Sequence, residues 1–231
     1  MTTARESLRL SVIVPTLNEQ EHIGALLHDL ASLRSAGHEV ILVDGSSSDA
    51  TRAVAAAWVD RIVEAKRGRA SQMNAGAHAA SGGVLWFLHA DTRLVQGAGD
   101  AVLQAVADGR AWGRFDVRLS GQQRLLRVVE TLMNLRSRIS GVATGDQGIF
   151  VTRAAFSAVG GFPAIPLMED IALCKLLRRQ ARPACIRRPR LQTSSRRWEE
   201  HGILRTIVLM WRLRLAYALG TEPAELVRRY P

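Results

Sequence analysis

The sequence has few cysteines and no long uncharged apolar run. Its two cysteines, Cys174 and Cys185, are too few for a disulfide framework and lack the spacing of a zinc site, so both are expected to be buried free thiols. No stretch approaches the length of a membrane-spanning helix, and residues 1–9 lack the apolar core of a signal peptide. These absences argue against a disulfide-stabilised secreted domain and predict a cytoplasmic protein.

Aromatic residues are also scarce, at 5% of the chain, and they are not interleaved with basic residues as in single-strand nucleic-acid binders. The formal charge of +10 is mostly due to arginine and is concentrated beyond residue 177. Such a charge attracts nucleic acid, anionic lipid and phosphorylated substrates alike, so by itself it does not identify a partner. The aromatic scarcity favours a partner other than nucleic acid.

The remaining composition, 47% hydrophobic and 23% charged, is typical of one folded domain over residues 1–231. In the first half, short apolar segments alternate with helical patterns, which predicts βαβ units and a mostly parallel sheet flanked by helices. Asn18 followed by Glu21 is typical of a helix N-cap. The predicted strands lie at residues 10–15, 39–44, 61–64, 84–88, 113–119 and 145–151, and the predicted helices at 23–33, 50–59, 71–80, 98–107, 122–140, 168–177 and 203–219.

The apolar run at residues 84–88 ends in His89 and Asp91, two residues apart. If the extended path continues, both side chains face the same way. Ligands of open α/β sheets collect beyond the carboxyl ends of strands, and a divalent cation shared with substrate phosphates would suit Asp91. The alternative is a strand end at which Asp91 caps the following turn.

Asp44 ends another predicted strand at the same edge of the sheet. Its carboxylate could accept hydrogen bonds from a nucleobase imide or from ribose hydroxyls, or it could form an Asx turn with the serines that follow. The basic segment 66–69 precedes a predicted helix, where a diphosphate would be stabilised, and Arg69 is nearest the helix start. A solvated basic loop is the alternative. Neither a P-loop nor a GxGxxG motif is present.

Glu169 and Asp170 begin a predicted helix behind a Gly-Gly-Phe-Pro turn at residues 160–163. Carboxylates at this position commonly cap the helix, but one of them could also be a general base that removes a proton from an attacking hydroxyl. Adjacent residues on a helix face different directions, so only one of the two is expected in that role.

Four motifs in this order resemble those of family 2 glycosyltransferases with the GT-A fold. They are residues 15–19 (PTLNE), 43–49 (VDGSSSD), 88–91 (LHAD) and the segment from GGF at 160–162 to MED at 168–170. The resemblance covers about residues 8–180. Residues 68–77 and 89–93 further resemble a small bacterial subfamily often found beside radical-SAM and selenium-related genes.

The resemblance implies an inverting transfer from a nucleotide sugar, with a UDP-sugar favoured, assisted by Mg²⁺ or Mn²⁺. It implies a nucleotide-sugar-binding half at 8–120, an acceptor and catalytic half at 121–190 and a helical extension at 191–231. Asp91 matches the last aspartate of the family's DxD metal motif, and Asp170 matches the base of its ED motif, with Glu169 beside it. The nucleotide side comprises Pro15, Thr16, Glu19, Asp44, Arg69, Asn74 and His89, and the acceptor or sugar side comprises Asp146, Gln147, Arg197 and Trp198.

Two positions depart from the family pattern. His89 replaces the first DxD aspartate; it could ligate Mn²⁺, although a hydrogen bond to a phosphate or a sugar hydroxyl is favoured. Residues 195–198 (SRRW) resemble the end of the QxxRW motif of processive synthases, but Ser194 stands where the glutamine belongs, so no processivity is inferred. Trp198 could stack on a sugar or pack in the core.

Two other functions remain open. A sugar-1-phosphate nucleotidyltransferase shares a nucleotide-binding α/β architecture, but residues 16–19 lack its glycine-rich basic signature. A basic module that binds RNA or anionic lipid could derive from a degenerate transferase, although the joint presence of Asp44, Asp91 and Asp170 argues against degeneracy. The final helix could belong to the core, to a homodimer interface or to a peripheral contact at the inner membrane face.

Overall fold

The computed structural model describes residues 8–230, so most of the segment expected to lack a signal-peptide core lies outside the described residues. The strands are β1 (Leu10–Thr16), β2 (Glu39–Asp44), β3 (Arg61–Glu64), β4 (Val84–Phe87), β5 (Trp112–Leu119), β6 (Phe150–Thr152) and β7 (Ala184–Thr193). The helices are α1 (Ile23–Ser35), α2 (Thr51–Ala55), α3 (Arg69–Ala79), α4 (Ala98–Ala107), α5 (Arg124–Ser140), α6 (Arg153–Ala158), α7 (Glu169–Gln180), α8 (Arg196–His201), α9 (Ile203–Ala218) and α10 (Pro223–Arg228), and a short 3₁₀ helix covers Gly145–Gln147.

The strands form one seven-stranded sheet in the order β3-β2-β1-β4-β6-β5-β7. Strands β3, β2, β1 and β4 are parallel, β6 runs antiparallel to both its neighbours, and β5 and β7 are parallel again. The predicted class, a mostly parallel sheet flanked by helices, is therefore confirmed. Strands β1, β2 and β4 are almost entirely buried because helices cover both faces of the sheet.

Side chains of β1 alternate between two cores. Ile13 packs with Met73 and Ala77 of α3 on one face, whereas Val12 and Val14 pack with the apolar side of α1 on the other. This alternation follows from the period of a strand, which sends successive side chains to opposite faces. The uninterrupted apolar sequence of the strand is the consequence of burial on both faces.

Three local predictions are wrong. Strand β4 ends at Phe87, and the backbone N–H of Thr92 donates to the carbonyl oxygen of His89 at 3.0 Å, so the path through the histidine is a turn. The strand expected at 145–151 is replaced by the 3₁₀ helix and the short β6, because Gly148 has a left-handed φ of 57° that breaks the extended path. Asn18 does not cap α1, which begins at Ile23.

The arginine-rich segment after α7 contains elements that the sequence pattern did not predict. Strand β7 lies at the edge of the sheet, where one side of the strand meets solvent and charged side chains are tolerated. Cys174 is a buried free thiol as expected, but Cys185 on β7 is only half-buried. Across the part of the chain that is described, no helix combines the length and the apolarity needed to cross a membrane.

Helix α3 lies unusually close to the sheet at Gly76. A Cβ atom at this position would lie 2.4 Å from Ile13 Cγ2 and 2.8 Å from Val43 Cγ2, both of which belong to side chains fixed in the core. The close approach therefore requires glycine, and it places the start of α3 beside the carboxyl ends of β1 and β2.

We expect Gly76→Ala to lower the free energy of unfolding by about 1–3 kcal/mol, because the core must shift to accept the methyl group. Urea unfolding followed by circular dichroism measures the change. Gly24→Ala on α1 is the matched control, since its Cβ would meet its nearest neighbour at an ordinary 3.8 Å. The control should be neutral or stabilising by up to about 1 kcal/mol. Equal effects of the two substitutions would contradict the close-packing argument.

Candidate active site

The carboxyl ends of β1 and β2 meet at one edge of the sheet, where Thr16 lies opposite Asp44 in the parallel register. Both residues are buried. The Asp44 carboxylate accepts hydrogen bonds from the Ser47 backbone N–H at 3.0 Å and from the Ser47 hydroxyl at 2.5 Å. The turn with the serines is therefore formed, and it presents a fixed carboxylate. Its contact with a nucleobase stays a prediction.

The loops that follow β1 and β2 are tied to each other. Asn18, with a left-handed φ of 55°, donates its backbone N–H to the Ser47 hydroxyl at 2.9 Å. In return its side-chain oxygen accepts the backbone N–H of Ser48 at 2.9 Å. Asn18 thus orders the edge of the sheet instead of capping α1. These reciprocal bonds hold residues 15–19 and 44–49 as one rigid rim.

Gln72 on α3 is a positioning residue that the sequence analysis missed. Its buried side-chain amide donates to the carbonyl oxygens of Thr16 and Val43, at 2.8 and 2.9 Å, and so joins the ends of β1 and β2. A long polar side chain among the alanines of α3 was the available signal. The carbonyl oxygen of Thr16 also accepts the backbone N–H of Gly45 at 2.9 Å, so loss of the amide would remove one of the two hydrogen bonds to that group.

Glu19 and Asp91 form an acidic pair beside this rim. The Oε2 atom of Glu19 is buried and has no hydrogen-bond partner within residues 8–230. Burial, followed by the charge of Asp91, raises the pKa of Glu19 above its usual value. A hard divalent cation would relieve both effects, and carboxylate oxygens are the ligands it prefers. Over the same residues no three His, Cys, Asp or Glu side chains form a metal cluster, so a cation would also need ligand oxygens.

His89 lies where the charges of Arg69, Asp91, Asp146 and Asp170 all act on its ring. A Cβ atom on Gly145 would lie 2.5 Å from His89 Nε2, so the imidazole packs directly on the glycine backbone. Burial, then the charge of Arg69, lowers the pKa of His89, although Asp91 and Asp170 oppose the shift. A neutral imidazole can donate one hydrogen bond and accept another, which suits contact with a phosphate or a hydroxyl.

Asp170 is held by the backbone at the start of α7. Its two carboxylate oxygens accept the backbone N–H groups of Gly145 at 2.8 Å and of Ile171 at 2.6 Å. Met168, immediately before the helix, adopts a left-handed φ of 68°, which is strained for a side-chain-bearing residue. Glu169 is buried, and burial together with the charge of Asp170 raises its pKa to about 7. The more accessible Asp170 is therefore the better placed base.

Two of the predicted site residues have amides that are engaged in the fold. Asn74 exchanges two hydrogen bonds with the backbone of Phe162, at 2.8 and 2.9 Å, and so fixes the turn that precedes α7. The buried Gln147 accepts the Thr144 backbone N–H at 3.2 Å and donates to the Ser137 hydroxyl at 3.0 Å. Both residues position the site, and direct contact of either with a substrate stays a prediction.

The remaining predicted residues lie around the same opening. Arg69 is exposed at the first position of α3, and its charge affects Glu19, His89 and Arg197. Arg197 stacks on the ring of Tyr230, with 3.9 Å to the ring centroid. Trp198 packs against a small apolar cluster between α5 and α9, which supports the packing interpretation of this tryptophan and leaves sugar stacking a prediction.

A model of the family described as Glycosyl transferase family 2 matches residues 11–155 of the chain. Among curated proteins, the chain is similar to dodecaprenyl-phosphate galacturonate synthase of Rhizobium johnstonii, with 37% identity over 97 residues, which are 37% of this chain and 29% of that protein. The chain spans less than half the length of the curated relatives it matches.

Two solved structures have a similar fold. TarS of S. aureus, in complex with UDP-GlcNAc, matches with a TM-score of 0.66 and 18% identity over 80% of this chain and 58% of that chain. The mannosyltransferase PcManGT of Pyrobaculum calidifontis, in complex with GDP-Man and Mn²⁺, matches with a TM-score of 0.65 and 22% identity over 95% of this chain and 64% of that chain. At these identities the likeness shows the GT-A fold.

Proposed function

We propose that this chain, which belongs to glycosyl transferase family 2, transfers a sugar from a nucleotide-sugar donor to an acceptor hydroxyl with inversion at the anomeric carbon. The observation that supports this most is the convergence at one sheet edge of a fixed Asp44, the Glu19–Asp91 pair and the backbone-held Asp170. The finer resemblance to the subfamily beside radical-SAM and selenium-related genes stays a prediction.

On the donor side, Asp44 is proposed to accept hydrogen bonds from the nucleobase, with Pro15 and Thr16 beside it. Arg69 at the start of α3 is proposed to bind the diphosphate, where its charge and the helix N-terminus act together. A UDP-sugar is favoured. The donors named for similar structures are UDP-GlcNAc for TarS and GDP-Man for PcManGT, which supports a nucleotide sugar without choosing the base.

The residues present fit a divalent cation. Asp91 and the unpartnered oxygen of Glu19 would hold Mg²⁺ or Mn²⁺ together with donor oxygens, and His89 would hydrogen-bond a phosphate or a sugar hydroxyl. Such a cation supplies positive charge that stabilises the leaving diphosphate. The complex of PcManGT contains Mn²⁺, which is consistent with this assignment.

On the acceptor side, Asp170 is proposed as the general base. It removes the proton of the acceptor hydroxyl as the oxygen forms a bond to the anomeric carbon, and the bond between that carbon and the diphosphate oxygen breaks. The backbone N–H groups of Gly145 and Ile171 orient the carboxylate. The proton ends on Asp170, and the nucleoside diphosphate is the leaving group.

The two rival functions give different products or ligands. A sugar-1-phosphate nucleotidyltransferase would release pyrophosphate from a nucleoside triphosphate, and Asp170 would have no acceptor hydroxyl to deprotonate. A basic binding module would bind RNA in a strongly salt-dependent manner and would not need the Glu19–Asp91 pair. The arrangement of all three aspartates at one opening favours the transferase.

We expect Asp91→Ala to weaken UDP binding in the presence of Mn²⁺ by about tenfold or more, because a charged cation ligand is lost. Isothermal titration calorimetry with and without Mn²⁺ measures this. Asp100→Ala is the control, since Asp100 is exposed on α4. If both variants bind UDP with the same affinity in the presence of Mn²⁺, the assignment of Asp91 as a cation ligand is wrong.

We expect Asp170→Asn to keep UDP binding and to slow the release of UDP from a hydrolysable UDP-sugar by about a hundredfold or more, since water also needs a base to attack. A coupled UDP assay over a panel of UDP-sugars measures the rate, with Asp100→Asn as the control. If Glu169→Gln abolishes hydrolysis and Asp170→Asn does not, the base is Glu169.

The helical extension presents an apolar surface that suits a peripheral membrane contact. Helices α5 and α9 share a small core, and each also exposes a stripe of large apolar residues. The only acidic residue on the two helices is Glu130, which is buried and paired with Arg127. The exposed residues are Leu125, Val128, Leu132, Leu135 and Ile139 on α5, Leu204, Val208, Trp211 and Leu215 on α9, and Leu219 directly after α9.

We propose that this surface binds anionic lipid at the inner membrane face. It consists of the exposed apolar residues and of neighbouring arginines such as Arg205 and Arg212. Apolar side chains would enter the headgroup boundary while arginines meet anionic headgroups. A second copy of the chain is a poorer fit, because two such surfaces would bring arginines together. The homodimer is therefore the outcome that the test must distinguish.

We expect the protein to float with anionic vesicles but not with neutral ones, and Trp211→Glu to abolish flotation by adding a negative charge to the surface. Trp58→Glu is the matched control, since Trp58 is also exposed but lies near α2, away from α5 and α9. Wild-type protein that does not float contradicts the proposal. A dimer in sedimentation velocity that Trp211→Glu dissociates would assign the surface to a second copy.

A further inference from the structure

Arg136 on α5 is a half-buried arginine with two buried nitrogen atoms that lack an acceptor within the described residues. Its Nε and Nη2 atoms are buried and have no hydrogen-bond partner among residues 8–230. Other enclosed arginines are treated differently: Arg114 and Arg138 both pair with Asp116, and Arg153 donates to three backbone carbonyl groups. The Nε atoms of Arg114 and Arg127 are also buried without a partner, but among the described residues Arg136 alone has two such nitrogen atoms.

The guanidinium of Arg136 remains charged in this environment. Burial, followed by the charge of Arg214, lowers the pKa of Arg136 to about 10, which is still well above neutral pH. A buried charged donor without a partner is costly, and the cost disappears when an anion accepts its hydrogen bonds. The two unpaired nitrogen atoms of Arg136 thus match a ligand with two acceptor oxygens.

Arg214 on α9 faces the same place. It is half-buried, it forms no ion pair within the described part of the chain, and its charge is close enough to affect Arg136. Two like charges that converge across α5 and α9 repel each other unless an anion lies between them. The influence of Arg214 on Arg136 thus adds to the buried nitrogen atoms as support for an anionic ligand.

The arginine pair lies on the acceptor side of the site. The acidic charges that act on Arg136 are those of Asp146 and Asp170, and both also act on His89, together with Asp91 and Arg69. Asp170 accepts hydrogen bonds from the backbone, and it forms no ion pair with Arg136 among residues 8–230. An anion bound by the arginines would therefore lie near the proposed base.

We propose that the acceptor substrate carries a phosphate or a carboxylate, which Arg136 and Arg214 bind beside Asp170. This inference rests on the proposed function and names the acceptor class. The planar guanidinium of Arg136 can bind either anion through two parallel hydrogen bonds. Anchoring the acceptor in this way would place its hydroxyl at the carboxylate of Asp170. The free energy of anion binding would then hold the hydroxyl in the orientation that the reaction needs.

The test measures the binding of inorganic phosphate by thermal shift, in full-length protein saturated with UDP and Mg²⁺. Phosphate should raise the unfolding midpoint of the wild-type complex, because a ligand of the folded state stabilises it. Arg136→Gln and Arg214→Gln should each weaken phosphate binding by about tenfold or more. Arg124→Gln on α5 removes the same charge from an exposed position and should leave phosphate binding unchanged.

The outcomes separate this inference from the proposed function. If UDP does not bind in the presence of a divalent cation, the proposed function is wrong. The inference about the acceptor is then wrong as well, because it rests on that function. If UDP binds but prevents phosphate binding, the anion site is the donor site and the inference is overturned. Equal phosphate affinity in the Arg136→Gln, Arg214→Gln and control variants also overturns it. Because Arg214 is half-buried, its substitution remains informative if Arg136→Gln does not fold.

A second arm distinguishes a soluble anion from a lipid headgroup. Vesicles of phosphatidylcholine with one fifth phosphatidic acid are sedimented with each variant. A lipid acceptor predicts that Arg136→Gln weakens vesicle binding while Arg124→Gln does not. A soluble acceptor predicts that only the phosphate thermal shift is lost. If Arg136→Gln changes neither measurement, the proposal is wrong.

Discussion

One hydrogen bond joins the two halves of the proposed site: the backbone N–H of Gly145 donates to the Asp170 carboxylate at 2.8 Å. On its other side the same glycine packs against the ring of His89, and a Cβ atom there would lie 2.5 Å from Nε2. The end of β4, with the donor-side residues, and the start of α7, with the proposed base, are therefore separated by a single backbone segment. A side chain at position 145 would push the two apart.

Some polar side chains around the site are fixed by hydrogen bonds within the fold, and others bury polar atoms that have no partner there. Gln72 and Asn74, both on α3, satisfy backbone groups of the sheet edge and of the turn before α7. In contrast, Glu19 and Arg136 bury polar atoms without partners, one acidic and one basic. A cation on one side and an anion on the other would complete the site, which fits a reaction that brings a metal–diphosphate donor together with a charged acceptor.

The helical extension links this chemistry to the surface of the protein. Helix α9 supplies Arg214 toward Arg136 and exposes an apolar stripe that includes Trp211 and Leu215. A helix that is apolar around most of its circumference is expected to be covered on more than one side. If the outer side meets lipid, the arginine pair would lie near the boundary between the membrane and the acceptor side of the site.

The sequence by itself determined the first four strands, the helices between them and the edge at which Asp44 and Asp91 collect. Buried strands require continuous apolar segments, and parallel βαβ units bring their carboxyl ends together, so both features are local enough to be recognised. The short β6 and the turn at His89 were mispredicted, because a left-handed glycine at position 148 and a local hydrogen bond from Thr92 to His89 override the apolar pattern there. Strand β7 was missed because its arginines do not give the apolar pattern of a strand. They are tolerated since β7 lies at the edge of the sheet, where one side of the strand meets solvent.

Only the tertiary structure decided which polar side chains form hydrogen bonds within the fold and which remain able to bind a ligand. Asn74, Gln147 and Arg136 all have polar side chains that sequence patterns treat alike. The first two have hydrogen-bond partners far away in the chain, at Phe162 and Phe115, whereas the third buries two nitrogen atoms without a partner among the described residues. Partnership of this kind depends on contacts between distant segments, and those contacts exist only once the sheet and helices have packed together.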